Sequence, residues 1–373
     1  MSQEINSIFD SSVEIGASKM FGFLNDPDVN QITVNKFDRV YISTNEGVHL
    51  VKDVFPNRDS YTSFLNQLIN ITDVECYDVE NVSKSVLEGS FDQERTTIRG
   101  SIHIATKELT RGEPALTVRK QPKDAITLDK MLSQKMMSQD MRNLLEASIR
   151  GRSNILISGG SGAGKTTLTK ALAWFVDPNH RILVAEEIDE LNLDDFLPNV
   201  VSLTTFRSYD QQGKIVREVK LDDLVKEALR MRADRIWVGE TRGREAYSLV
   251  KACNSGHDGS VTTIHADSGK GAVKQLVTYV MESGLSEEVA RDQVAQAFHL
   301  VIQISKVKMG RRVITEITEL EPVREGTEQR RNTLFIYDFE TDSFRRVGQP
   351  SPRLSEDWLK NSTNFGQITP FQL

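Results

Sequence analysis

"NILISGGSGAGKTTLTKAL", residues 154–172, is the most informative stretch of this chain. An apolar strand pattern, "NILIS", runs into a glycine-rich loop, and a helical pattern follows that loop. The loop from Gly159 to Thr167 has the spacing G-x-x-x-x-G-K-[ST] of a P-loop. Because the strand and the helix flank the motif as it requires, the sequence predicts an α/β domain that binds phosphate groups here.

Each residue type in this loop has a physical reason. Glycines permit the backbone dihedrals that turn successive N–H groups toward phosphate oxygens, and the next helix presents its positive end there. We expect Lys165 to bridge the β- and γ-phosphates and the Thr166 hydroxyl to bind Mg²⁺. The alternative, a glycine-rich turn without a ligand, is disfavoured by the strand–loop–helix context. The predicted nucleotide-binding residues are Gly159, Gly160, Ser161, Gly162, Ala163, Gly164, Lys165, Thr166 and Thr167.

Outward from the loop, apolar strand patterns alternate with helical patterns. "RILVAE" and "DRIWVGE" are apolar on both faces, which is typical of a parallel sheet covered by helices on both sides. Upstream, the β-branched runs "QITVN" and "RVYIST" indicate an α+β domain. The predicted domains are an amino-terminal domain at 1–120, a linker at 121–135, the P-loop domain at 136–325, and a hairpin with a polar tail at 326–373.

Carboxylates follow two of these strands. Hydrolysis of a nucleoside triphosphate needs carboxylates that orient the magnesium shell and the attacking water. Glu186, Glu187 and Glu190 come just past "RILVA", and Glu240 comes just past "RIWV". Both groups are expected to face the P-loop, because ligands of open α/β sheets bind at the carboxyl ends of strands. For Glu187 and Asp189, solvated surface charge is an equal alternative.

The composition excludes several classes of protein. Lysine and arginine number 46 and aspartate and glutamate 53, a net charge of −7, which argues against a protein that coats nucleic-acid phosphates. Two cysteines, Cys76 and Cys253, form no disulfide framework and suit a reducing cytosol. The amino-terminal sequence has no apolar run near the roughly 18 residues of a membrane span, so we expect a soluble chain.

Two histidines lie in "SGHDGSVTTIHA", residues 255–266. No third or fourth ligand occurs nearby at zinc-site spacing, which disfavours a metal site. "SVTTIHA" predicts a strand with His257 in the loop before it and His265 at its carboxyl end, near the phosphates. We expect His265 to contact the γ-phosphate and His257 to hold the loop or reach a neighbouring subunit. Alternatively, both satisfy buried polar groups.

Several motifs together resemble a known family. "ALRMRADRIWVGETRGREA", "NSGHDGSVTTIHADS" and the P-loop stretch, with "LVAEEIDEL" between them, resemble the secretion-superfamily traffic ATPases of type II and type IV secretion and pilus assembly. The resemblance covers roughly residues 20–325. "GHDGSVTTIHA" and "GRRVITEITEL" are most similar to the CpaF/TadA branch, and the ATPases of type IV secretion and conjugation come next.

The resemblance implies a fold class and an assembly. The fold is α/β, a RecA-like P-loop ATPase domain with a mainly parallel sheet, preceded by a smaller α+β, PAS-like amino-terminal domain. The implied assembly is a homo-hexamer that hydrolyses ATP with Mg²⁺. It is cytoplasmic and peripheral at the inner face of the cytoplasmic membrane, where it docks on an inner-membrane platform protein.

The resemblance also implies roles for single residues. Glu186 becomes the general base of an "Asp box" at 186–190, and Glu240 belongs to an atypical Walker B motif that ends in glutamate instead of aspartate. A "His box" spans 257–265. In the Asp box, Glu187 stands where the family usually has aspartate. Supporting roles fall to Glu187, Glu190, Arg242, His257 and Arg99.

Arginines from outside the P-loop stretch are implied as well. Arg119 in "LTVRK" matches an arginine that the family uses across a domain or subunit boundary. Beside a γ-phosphate such an arginine offsets developing negative charge. An interdomain salt bridge is the alternative for Arg119. Arg99 in "TTIRGSIHI" is a weaker match for a second such arginine.

The first functional expectation is therefore a motor that powers type IV pilus-like or Tad filament assembly, or secretion across the bacterial envelope. The main alternative is the ATPase of a type IV secretion or conjugation system. A direct DNA translocase is disfavoured by the acidic chain, which has no run of stacking aromatic and arginine residues. A nucleotide-dependent scaffold without turnover is disfavoured by the intact Lys165, Thr166, Glu186 and Glu240.

Overall fold

The computed structural model describes residues 15–44, 47–72, 74, 79, 86–91, 98, 100–110, 112–120, 126–209, 215–307, 310–322 and 331–362. The chain divides into two units. The amino-terminal unit comprises Met1–Asp124 with Ser208–Arg217, and the P-loop unit comprises Ala125–Arg207 with Glu218–Leu373. The four domain ranges expected from the sequence stay a prediction.

The amino-terminal unit is built on an antiparallel six-stranded sheet of order β3-β2-β1-β6-β5-β4. Alternation along β1 buries Ile32 and Val34, which share one apolar core with Phe64 and Leu68 of a helix. This unit is the smaller α+β domain that was predicted. Its elements are α1 (Ile15–Asn25), β1 (Gln31–Lys36), β2 (Arg39–Ser43), β3 (Val48–Val51), α2 (Arg58–Ile69), β4 (Val86–Ser90), β5 (Gly100–Ala105), α3 (Lys107–Thr110) and β6 (Ala115–Lys120).

The chain continues through alternating helices and strands, and β10 pairs with β11 in a separate two-stranded sheet. The elements are α4 (Leu128–Ser133), α5 (Gln139–Arg150), β7 (Ile155–Gly159), α6 (Lys165–Ala173), β8 (Ile182–Glu186), a 3₁₀ turn (Leu193–Asp195), β9 (Val200–Thr204), β10 (Phe206–Tyr209), β11 (Ile215–Val219), α7 (Leu221–Ala228), β12 (Arg235–Val238), α8 (Glu245–Cys253), β13 (Val261–Ile264), α9 (Gly269–Met281), α10 (Glu287–Ala297), β14 (Leu300–Lys306), β15 (Arg312–Leu320), β16 (Arg331–Asp338), β17 (Ser343–Arg346) and α11 (Pro352–Ser362).

The P-loop unit is organised around a nine-stranded sheet of order β17-β16-β15-β14-β7-β13-β12-β8-β9. Neighbours from β14 to β9 are parallel, and those from β14 to β17 are antiparallel. Successive side chains point to opposite faces, so Ile155 and Ile157 enter one core and Leu156 the other. Helices α5 and α6 cover the first core, and α7 to α10 cover the second. The predicted α/β fold with a mainly parallel sheet is confirmed.

The carboxy-terminal segment belongs to this same unit. The hairpin of β16 and β17 extends the nine-stranded sheet, and α11 packs Leu354 and Trp358 into the core. The Trp358 indole N–H donates to Ser153 Oγ at 3.1 Å. A Cβ placed on Gly151 would lie 2.3 Å from the indole ring, so glycine makes room for it. This stretch was expected to be a polar tail, but two apolar residues spaced four apart allow it to pack as a helix. Residues 363–373 lie outside the described part.

Two composition-based expectations have structural counterparts. Cys253 is 4% exposed in α8, and burial raises the pKa of its thiol to about 12, which suits an unreactive core residue. Cys76 lies outside the described residues. None of the helices in the described ranges is both long enough and apolar enough to cross a membrane.

Candidate active site

The P-loop forms the turn between β7 and α6. Gly162 and Gly164 have φ angles of 65° and 103°, a left-handed region that glycine enters without the steric cost of a side chain. Gly164 is the N-cap residue of α6 and, as a glycine, supplies no side-chain cap to its first turn. The amino end of α6, the end at which helices bind anions, therefore begins directly at the loop.

Lys165 and Thr166 begin α6 and place a cation and a hydroxyl at this loop. The Lys165 ammonium is nearly buried and donates to the carbonyl oxygens of Gly159 at 2.9 Å and Gly160 at 3.3 Å. Thr166 Oγ1 donates to Glu190 Oε2 at 3.3 Å. The ammonium suits phosphate oxygens, and a hydroxyl beside a carboxylate suits the oxygen-seeking Mg²⁺. These donors therefore fit a magnesium-bound nucleoside triphosphate.

Glu186 ends β8 with a carboxyl group buried beside the loop. Its Oε2 accepts the backbone N–H of Leu191 at 3.2 Å, and a Cβ placed on Gly239 would lie 2.9 Å from Glu186 Cγ. Burial, and then the negative charges of Asp189 and Glu190, raise the pKa of Glu186 to about 8. A carboxyl group with a near-neutral pKa can exchange a proton at physiological pH, as a general base must.

Glu240 follows β12 and is the centre of an ionic network. The Nε2 atom of His265 lies 3.1 Å from Glu240 Oε1. Arg242 donates from Nη2 to Glu240 Oε2 at 2.6 Å and from Nη1 to Glu187 Oε2 at 2.9 Å. The network joins the carboxyl ends of β8, β12 and β13. The strand ends that the sequence indicated separately are therefore in direct contact here.

The acidic segment after β8 is more than solvated charge. The Glu187 side chain is about half exposed, yet it pairs with Arg242. Asp189 is partly buried, and burial, followed by the charge of Asp194, raises the pKa of its carboxyl. Its Oδ1 atom is buried and has no hydrogen-bond partner among the described residues. Asp189 is therefore not simply a solvated surface charge.

The two histidines lie at opposite ends of β13. His257 precedes the strand, where its Nδ1 is 3.3 Å from Ala252 O at the end of α8, and its own carbonyl accepts Ser260 Oγ at 2.8 Å. His265 follows the strand and contacts Glu240. A four-residue strand separates the two ends by about 13 Å. His265 is therefore at the edge that carries the acids, and His257 is at the other edge.

A family model described as "Type II/IV secretion system protein" matches residues 95–339, more than half of the chain. The chain belongs to this family. The conjugal transfer protein TrbB of Rhizobium radiobacter is 32% identical over 252 residues, covering 65% of this chain and 73% of TrbB. The type IV secretion system protein VirB11 of Bartonella henselae is 27% identical over 361 residues, covering 85% of this chain and 96% of that protein.

The fold has solved counterparts. The X-ray structure of the Legionella pneumophila ATPase DotB aligns with a TM-score of 0.55 and 18% identity, over 90% of this chain and 84% of DotB. At this identity the likeness concerns the fold. The family and the P-loop at residues 159–167 identify the chain as a P-loop ATPase of the secretion family.

Two residues of this secretion ATPase that the sequence interpretation missed fix the chain after His265. Gln303 is 3% exposed in β14 and donates from Nε2 to Ala266 O at 3.3 Å. Ser158 of β7 donates to the same carbonyl at 3.4 Å. A single amide inside the apolar run "LVIQIS" is the sequence signal that could have indicated the first. Both residues hold the carbonyl group of Ala266, next to His265, and neither is part of the ionic network.

The predicted arginines have different outcomes. Arg119 is an exposed residue of β6 in the amino-terminal unit, paired in register with Gln31 and Ser101. Its role across a boundary stays a prediction. Arg99 lies outside the described residues. Arg242 is the one that contacts the acids of the site.

Within the described ranges, no group of three or more His, Cys, Asp and Glu side chains is arranged to hold a metal ion. In sites of this class, Mg²⁺ keeps several waters and is held by one or two protein oxygens together with substrate phosphates. Thr166 and Glu190, which share a hydrogen bond, are the residues that would hold it.

Proposed function

We propose that this secretion ATPase hydrolyses MgATP as a cytoplasmic homo-hexamer and drives transport through a type IV secretion or conjugation machine at the inner face of the membrane. Two contacts carry the proposal. Thr166 at the P-loop binds Glu190 of the acidic segment after β8, and Arg242 joins Glu187 of the same segment to the Glu240–His265 pair. The names of the TrbB and VirB11 relatives support this choice over pilus-like or Tad filament assembly. The CpaF/TadA branch stays a prediction.

The chemistry follows from the contacts at the sheet edge. Lys165 and the N–H groups of the loop bind the β- and γ-phosphates. Thr166 would hold Mg²⁺, which would supply positive charge next to the phosphate oxygens. Glu186 takes the proton of the attacking water as the bond to the leaving ADP oxygen breaks. His265 donates to the γ-phosphate, and Glu240 with Arg242 holds the imidazole in place.

Phosphate release and nucleotide binding of two variants test the proposal. Lys165→Ala should lose MgATP binding and turnover, because it removes the ammonium that neutralises the phosphates. Glu186→Gln should keep binding while turnover falls by about 10²- to 10⁴-fold, the usual contribution of a general base. Lys251→Ala and Glu227→Gln, exposed residues of α8 and α7, are the matched controls and should behave as wild type.

Two results would overturn the proposal. A wild-type protein that binds MgATP without releasing phosphate would be a scaffold. A Lys165→Ala protein with wild-type turnover would place hydrolysis elsewhere. Light scattering with and without ATP tests the hexamer, and co-purification with a membrane platform protein tests the proposed dock. Relaxase and coupling-protein genes beside this gene would support conjugation, whereas prepilin genes would contradict it.

A further inference from the structure

Two cationic side chains of the β14–β15 hairpin lie against the P-loop, and the mechanism above uses neither. Arg312 donates from Nε to Gly162 O at 3.0 Å. Its Cδ lies 3.3 Å from the position of a Cβ built on Gly164. Lys306 Nζ lies 3.0 Å from the position of a Cβ built on Gly162. The two cationic side chains therefore occupy the space into which side chains at positions 162 and 164 would project.

These two charges are not neutralised by neighbouring acids. Lys306 and Arg312 are both exposed, and no ion pair joins either one to an acidic side chain within the described residues. The adjacent Arg311 differs, because it donates to the Tyr337 hydroxyl at 2.9 Å and pairs with Asp342. Two uncompensated cations beside an anion-binding loop favour a further negatively charged group.

The order of the strands indicates which part of a bound nucleotide would lie next to Lys306 and Arg312. Glu186, Glu240 and His265 follow β8, β12 and β13, all on one side of β7 in the sheet. The γ-phosphate has to face these residues for water to be activated. Strands β14 and β15 lie on the other side of β7, so a nucleotide extended across the loop directs its α-phosphate and ribose toward them.

We propose that Lys306 and Arg312 bind the α-phosphate and ribose end of the nucleotide. This rests on the proposed function, because it presupposes that ATP binds at the P-loop. The two cations set the affinity for the nucleotide and do not take part in the transfer to water. Since ATP and ADP share the α-phosphate and ribose, both lose affinity together when either cation is removed.

Calorimetric titration of the full chain with MgADP and with a non-hydrolysable MgATP analogue tests this assignment. Arg312→Ala and Lys306→Met should each weaken both nucleotides by about 10-fold, as expected for the loss of one charge-assisted hydrogen bond. Turnover at saturating ATP should stay within about threefold, so that KM changes and kcat does not. Arg311→Ala is the matched control and should bind as wild type.

The Lys306 variant separates ligand binding from support of the loop, since Lys306 makes no hydrogen bond to the loop within the described residues. Wild-type affinity in Lys306→Met, or loss of affinity for the ATP analogue with ADP unchanged, would overturn the assignment. The second result would place the cations at the γ-phosphate. If the wild-type protein binds no nucleotide, the proposed function itself is overturned. If the wild-type protein binds nucleotide and the two variants bind it with the same affinity, only this inference is overturned.

Discussion

Charged side chains lie at both ends of the central parallel strands, and the two ends differ in chemistry. At the carboxyl ends, Glu240, Arg242 and His265 are partly exposed and contact one another. At the amino ends, Arg235 begins β12 with 1% of its surface exposed. Its guanidinium donates to Ile149 O at 3.0 Å and to His180 Nδ1 at 3.2 Å.

Arg235 is buried and closely packed. Burial, and then the charge of Arg152, lower the pKa of Arg235, and its Nη1 atom has no hydrogen-bond partner among the described residues. A Cβ placed on Gly259 would lie 2.4 Å from that atom. A charge next to an apolar strand is therefore no sign of catalysis by itself. Glu240 and His265 differ from Arg235 in position, because they lie at the carboxyl ends of strands, where open α/β sheets bind their ligands.

The largest expected contrast between the two ends is that of the histidines. His265→Ala should lower turnover by about 100-fold with nucleotide binding retained, because it removes a donor to the transferred phosphate. His257→Ala should change turnover by less than about threefold. Phosphate release and calorimetry measure both. Equal losses of turnover in the two variants would contradict the prediction that only the histidine at the carboxyl end of β13 takes part in hydrolysis.

A pair of glycine substitutions sharpens the comparison further. Gly239→Ala should lower turnover by about 10-fold or more, because its Cβ displaces the Glu186 carboxyl from its contact. Gly259→Ala should lower the free energy of unfolding by about 2–4 kcal/mol, because its Cβ meets Arg235 at a φ of 86°. Turnover per folded molecule should stay unchanged in the Gly259 variant.

Gly284→Ala is the control for these two, since Gly284 has a φ of 94° and nothing within 4 Å of a built Cβ. It reports the cost of backbone strain without a clash. Chemical denaturation compares the two variants. If Gly259→Ala is no less stable than Gly284→Ala, the close packing of Arg235 against Gly259 does not contribute to stability as predicted.

The smallest expected effect is a pH dependence of the carboxyl end. As a base, Glu186 acts when ionised, so with a pKa of about 8 turnover should rise roughly tenfold between pH 7 and pH 9. Its raised pKa also means that its contribution to stability is present at acid pH and lost as the pH rises through about 8. The glutamine of Glu186→Gln stays neutral at every pH. The free energy of unfolding of this variant, relative to that of wild type, should therefore rise by about 1–3 kcal/mol from pH 6 to pH 9, as measured by thermal unfolding. An equal difference at both pH values would contradict the raised pKa.

Many residues of the candidate site could be predicted from the sequence, because the patterns that indicate them involve residues close together in the chain. Strand, loop and helix lie within 20 residues around Lys165, and Glu186 and Glu240 stand directly at the ends of apolar strands. Spacing of this kind needs no knowledge of the partner strand. Helix α11 shows the limit, since a polar composition hid the Leu354 and Trp358 pair that packs it against the P-loop unit.

The sequence alone determined the P-loop, the parallel character of the strands beside it and the edge at which the carboxylates converge, because each depends on neighbours in the chain. Only the tertiary structure decided that Arg242 joins Glu187 to Glu240, that Gly239 borders Glu186, and that Arg312 touches Gly162. The partners in the first and last of these contacts lie 55 and 150 residues apart. Such distances are closed by sheet order and burial, which no local pattern encodes.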